Sequence, residues 1–128
     1  MVTSDGKIKK GKNLDLKVFK TGATRNTDFG KPNYEAALSP LVIKCFGDYM
    51  VRHRMQPDGS VRKDDNWQKG MSFDSYMECG YRHFMDWWLE HRGHESRDGL
   101  EDALCGLLFN VQGYLHEHLK KELKKKNV

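Results

Sequence analysis

Between residues 72 and 125 the apolar side chains recur every three or four positions in two runs. These are Met77, Tyr81, Phe84 and Trp88, followed by Leu104, Leu107, Leu108, Val111 and Leu115. Such spacing places each run along one face of an α-helix, whereas a strand turns its side chains over every second residue. The ends of both runs are punctuated. Ser72 is a favoured N-cap with Asp74 in the first turn behind it, and Gly93 is a C-terminal stop, so a helix is expected over about 72–92. Asp98 followed by Glu101 has the form of a capping box and opens the longest and most apolar helix, about 99–125. A third helix is expected over about 39–54: Ser39-Pro40 supplies cap and first residue, and Val42, Cys45, Phe46, Tyr49 and Met50 follow at helical spacing. The fold class is therefore all-α, three main helices in a small bundle.

The remaining chain is less regular. Gln56-Pro57-Asp58-Gly59 has the chemistry of a tight turn, and the stretch to Gly70 is polar except for Trp67, which makes a long loop between the first and second helices. A long loop inside a compact domain usually has a binding role of its own. With 128 residues there is apolar surface for one core only. The expected organisation is a flexible basic arm over 1–20, a single helical domain over 21–119 and a lysine-rich tail over 120–128.

The formal charge of +4 is unevenly spread. Residues 1–33 hold eight Lys or Arg against three acids, residues 116–128 hold five Lys against two Glu, and the centre is acidic. Lysine runs of this kind are commonly solvated, so nucleic acid is not expected as the partner. Cys45, Cys79 and Cys105 are odd in number and set among apolar residues, which reads as buried free thiols in a reducing compartment. No apolar run reaches the roughly 20 residues of a membrane span, and the start lacks the apolar core of a signal peptide. A cytoplasmic protein with no membrane partner is expected.

Two constellations carry chemistry. On the second helix His83, Asp86 and Glu90 lie along one line with Cys79, and Glu95, Asp98, Glu101 and Asp102 follow closely in sequence. Magnesium and manganese favour carboxylate oxygens and accept an occasional imidazole, which makes this a candidate metal edge. The alternative is structural, with Arg82 and Asp86 as a surface ion pair and Glu101 as a cap. On the third helix Asp102, Gly106, Asn110, Gly113 and Glu117 form a small and polar stripe. Either Asn110 faces a ligand, or the two glycines admit a close helix while Asn110 bonds across to it. Arg25, Lys31 and Lys69 are cations set among glycines, and Asn66-Trp67 adds an amide and an indole, groups able to hold phosphates and a base.

Taken in order, Thr21-Gly22-Ala23 with Arg25, Gly30-Lys31-Pro32, Leu38-Ser39-Pro40, Asn66-Trp67-Gln68-Lys69-Gly70, Arg82-His83, Gly93-x-Glu95-x-x-Asp98 and Ala103-Leu104-Cys105 leading to Asn110 form a recognisable series. It resembles the phage and prophage family of dATP/dGTP diphosphohydrolase-like proteins, related to the all-helical MazG-like nucleoside triphosphate pyrophosphohydrolases. The resemblance covers roughly Thr21 to His118. It implies a helical protomer in a homo-oligomer that uses Mg2+ or Mn2+ to hydrolyse a purine deoxynucleoside triphosphate to monophosphate and pyrophosphate, reshaping a host's nucleotide pool. His83, Asp86, Glu90, Glu95, Asp98 and Glu101 are then the candidate metal ligands, with Glu95 and Asp98 as catalytic groups. Arg25, Lys31 and Lys69 would clamp phosphate, and Asn66, Trp67 and Asn110 would face base or sugar. The E-x-x-E signature of the wider superfamily is absent; Glu95 to Asp98 is the one E-x-x-D. A nucleotide-binding protein that sequesters without cleaving is the alternative expectation.

Overall fold

The computed structural model describes residues 2–3 and 16–126. Most of the expected arm over 1–20 and the last two residues of the tail lie outside them. The chain divides into two compact units, Met1–Ser39 and Pro40–Val128.

The first unit adds a small sheet to the helical expectation. Strand β1 (Val2–Thr3) runs parallel to β2 (Leu16–Val18), which pairs antiparallel with β3 (Thr24–Asn26) in the register Lys17 to Arg25. The turn between β2 and β3 closes with Phe19 N donating to Ala23 O and Gly22 N donating to Phe19 O. Gly22 takes φ 90°, a conformation that side chains with a Cβ resist. The ammonium of Lys17 pairs with the Asp28 carboxylate. A single helical turn, α1 (Tyr34–Ala37), follows, capped by the Asn33 side chain accepting from Ala36 N.

The second unit holds the three expected helices: α2 (Pro40–Arg52), α3 (Phe73–His91) and α4 (Leu100–Lys126). Ser72 caps α3 by accepting from Ser75 N at 3.1 Å. At the start of α4 the capping differs from the expected box. Gly99, at φ 89°, precedes the helix, its carbonyl accepts from Ala103 N, and its N–H donates to Ser96 Oγ. The helix runs on to Lys126, so the lysines of the expected tail belong to α4. The loop after α2 doubles back on itself: Gly59 N donates to Gln56 O, Met55 bridges to Val61, and Arg62 N donates to Arg54 O. A 3-10 turn over Asn66–Lys69 then leads to α3.

The main packing is the antiparallel hairpin of α3 and α4, built from large residues facing small ones. Tyr76 lies against Gly113 and His83 against Gly106, so closely that a methyl group on either glycine would overlap the ring. Between them Gly80 meets the Asn110 side chain at 3.6 Å. Helix α2 is held to α4 by a salt bridge from Arg52 to Asp102 at 2.7 Å and by the Cys45 and Cys105 sulfurs at 3.7 Å. Among the described residues the buried apolar core is small, comprising Tyr49, Tyr76, Ala103 and Cys105. All three cysteines are free thiols, and burial pushes the Cys105 thiol up to about 11. No helix among the described residues is long and apolar enough to cross a membrane.

Candidate functional site

The hairpin that follows α2 matters because of what it carries. Arg54 donates from Nε to the Arg62 carbonyl at 2.7 Å and meets Asp64 at 3.3 Å, while an Arg62 guanidinium nitrogen reaches the His53 carbonyl at 3.4 Å. These bonds set Arg54, Arg62 and Lys63 at one wall of a cavity of about 210 Å³. Helix α2 contributes Tyr49, Met50 and His53, the 3-10 turn contributes Asn66 and Trp67, and the α3–α4 hairpin supplies Tyr76, Cys79, His83, Phe109 and Asn110. The cavity is smaller than the roughly 300 Å³ at which drug-sized pockets begin, so it has room for a small group and not for a whole drug-sized molecule.

The polar groups in this cleft have distinct environments. His53 stacks on Tyr49 with ring centres 4.0 Å apart, and burial, reinforced by the Asp102 charge, pushes the Tyr49 phenol up to about 12. His83 is held below the usual imidazole range by burial first and by the Arg97 charge second, although Asp86 and Asp98 pull the other way. It is therefore a neutral imidazole at pH 7, able to accept a proton or donate a lone pair. Asn110 spends its amide N–H on the Gly106 carbonyl of its own helix at 2.7 Å. Trp67 packs edge-on to Phe109 at 6.2 Å and to His116 at 4.9 Å. The Tyr76 hydroxyl is buried and is the one such side-chain atom among the described residues without a hydrogen-bond partner. An orphan of this kind is costly unless something else meets it.

Asn66, Trp67 and Asn110, from two separate elements, share this cleft. Lys69 sits at the end of the 3-10 turn and is not among the lining residues. Arg25, in β3, and Lys31, whose N–H donates to Asp28 O, belong to the other unit. Of the acidic candidates, Asp86 is buried and accepts two bonds from Arg97, at 2.9 and 2.6 Å. Glu90 accepts from the backbone and hydroxyl of Ser96 at 3.0 and 2.9 Å. Both carboxylates tie the α3–α4 loop to α3. Arg82, the expected partner of Asp86, instead donates to Cys79 at 3.1 Å. Glu95, Asp98 and Glu101 are exposed in that loop and in the first turn of α4. Among the described residues no three His, Cys, Asp or Glu side chains are gathered closely enough to hold a metal ion.

Sequence reasoning missed His53, Arg54, Arg62 and Lys63. The signal was present in the Arg-rich flanks of the Pro57-Asp58-Gly59 turn, since a tight turn brings its two flanks together. Compared with family models, curated proteins and solved structures, the chain finds no match.

Proposed function

We propose that this protein, acting as a homo-oligomer in the cytoplasm, binds a purine deoxynucleoside triphosphate in the α2–α3–α4 cleft. The supporting observation is the convergence of Asn66, Trp67 and Asn110 with Arg54, Arg62 and Lys63 around one cavity. An indole offers a π-surface to a base, and a guanidinium pair with an ammonium matches a chain of phosphates at the mouth. Purine over pyrimidine, and deoxyribose over ribose, rest on the resemblance alone.

Hydrolysis to monophosphate and pyrophosphate is the second reading. It is favoured by one observation, the neutral imidazole of His83 in the same cleft with the charges of Asp86 and Asp98 acting on it. Among the described residues no three side chains form a ready ligand set, so on this reading Mg2+ or Mn2+ arrives on the triphosphate, which is how magnesium often enters sites that offer only one or two carboxylates. Glu95, Asp98 and Glu101 are exposed but do not line this cleft; the exposed carboxylate that does is Asp64, beside Arg54.

Calorimetric titration of the four deoxynucleoside triphosphates, with manganese present, tests both readings. The expected result is binding of dATP or dGTP that weakens at least tenfold in Arg62→Ala/Lys63→Ala and in Trp67→Ala. A folded protein that binds none of the four would sink the proposal. Heating the complex and recovering the nucleotide separates the two readings, since intact triphosphate means binding alone and monophosphate with pyrophosphate means hydrolysis.

A further inference from the structure

Helix α2 is lightly packed: Leu41, Ile43 and Val51 are 82%, 50% and 61% exposed. Two polar side-chain pairs tie it to α4. One is the salt bridge from Arg52 to Asp102. The other lies about two helical turns earlier on α2, where the Cys45 sulfur comes within 3.7 Å of the Cys105 sulfur. These two thiols are 60 positions apart in sequence, and neither lines the cleft. Cys79, the third thiol, is engaged elsewhere, with the Arg82 guanidinium at 3.1 Å from its sulfur.

We propose that Cys45 and Cys105 are a reversible oxidation site, which hydrogen peroxide converts to a disulfide that clamps α2 to α4. The fold has already brought the sulfurs into van der Waals contact. A disulfide bond of about 2.05 Å asks them to close by only about 1.7 Å more, which a turn of the Cys45 side chain with a small shift of the lightly packed α2 supplies. The two thiols divide the chemistry. Cys105 is buried, and burial first and the contact with Cys45 second keep its proton on, so it is not the group that meets the oxidant. Cys45 is half-buried and gives a molecule as small as peroxide a way in.

The Cys45 thiolate attacks one peroxide oxygen, the O–O bond breaks and hydroxide leaves, which makes a sulfenic acid at Cys45. The Cys105 sulfur then attacks the Cys45 sulfur, the S–O bond breaks, and that oxygen departs as water with the Cys105 proton. Over both steps the two thiols lose two electrons and two protons, and one peroxide takes them up as two waters. A dithiol reverses the bond by exchange. The bond would close a long loop and so constrain the unfolded chain. Tyr49, Met50 and His53 on the same helix line the cleft, so the clamp also fixes that wall.

Peroxide treatment of the native full chain tests this. Titration after unfolding should find the three thiols reduced to one, and peptide mass mapping should find Cys45 joined to Cys105 within one chain. Dithiothreitol should restore all three. Cys79→Ser should crosslink as before and Cys45→Ala should not, while peroxide in concentrated urea should scatter the pairing over all three cysteines. The oxidised chain should unfold at higher urea than the reduced one, a rise absent from Cys45→Ala. Three thiols surviving peroxide, Cys45 or Cys105 driven on to sulfinic acid without a link, or a bond from either to Cys79 or to a second chain would each overturn the proposal. An oxidised chain no more resistant to urea than the reduced one would overturn the clamp. None of these readouts involves nucleotide, so they stand or fall apart from the reading of the cleft.

Discussion

At the scale of single residues the spacing of His83, Asp86 and Glu90 placed them correctly on one helix, but spacing names a face and never a partner. Arg97 lies eleven residues beyond Asp86 and returns to it only because the chain reverses after Gly93. Neither the metal edge nor the Arg82–Asp86 pair expected as its alternative anticipates that reversal, and it is Arg97 that Asp86 meets. His83 has a consequence that titration can read. Burial and Arg97 hold its folded-state pKa beneath the ordinary 6.5, so just below that pH the unfolded chain binds more protons than the folded one. The contribution of the neutral ring is fully present above 6.5 and is lost as the pH falls through the window beneath it. Urea unfolding of wild type and His83→Gln at pH 7.5 and pH 5.5 checks this, and the stability gap between them should shrink at the lower pH. A gap that does not change with pH would show that the ring is not shielded from protons.

At the scale of elements the helices were legible because each carries its own start signal: Pro40 as first residue of α2, Ser72 as the cap of α3, and Gly93 just past its end. The β2–β3 hairpin was not, since strands of three residues show too little alternation to read. The stripe of Gly106, Asn110 and Gly113 left two readings open, and the structure supports close helix approach: Tyr76 and His83, seven residues apart, fill notches also seven apart on the antiparallel α4. Asn110 bonds within α4 and still borders the cleft, so its amide serves the helix while its side chain shapes the cavity. Substituting a helical glycine by alanine ordinarily stabilises by up to about 1 kcal/mol through propensity. Gly47 on α2 has open space where the methyl would go, so Gly47→Ala should gain about that much. At Gly106 the methyl meets the His83 ring, and overpacking of about 1–3 kcal/mol outweighs the propensity gain. Chemical denaturation should move the two midpoints in opposite directions, although both changes are the same on paper.

At the scale of the whole molecule, Trp67 and Asn66 stand out in the sequence because a single large aromatic in a polar loop has few structural uses, and both line the cavity; the cations beside them do not stand out, because their placement depends on a turn whose flanks converge only after folding. The small buried core had no sequence signal at all. The apolar spacing that predicts a helix is the same whether its stripe faces its own chain or another, and here most of the stripe on α3 and α4 stays open. Among the described residues four apolar side chains are buried, few for a fold that must offset about 1–2 kcal/mol of backbone entropy per residue. For the homo-oligomer proposed above, stability should depend on assembly and so on concentration. A tenfold rise in protein concentration adds about 1.4 kcal/mol for a pair of chains, which at this size moves the melting midpoint up by about 2–3 °C. Calorimetry over a hundredfold concentration range reads this directly. For Val111→Glu/Leu115→Glu the midpoint should be lower and independent of concentration. A wild-type midpoint that is equally flat would mean that the hairpin is stable with that stripe open.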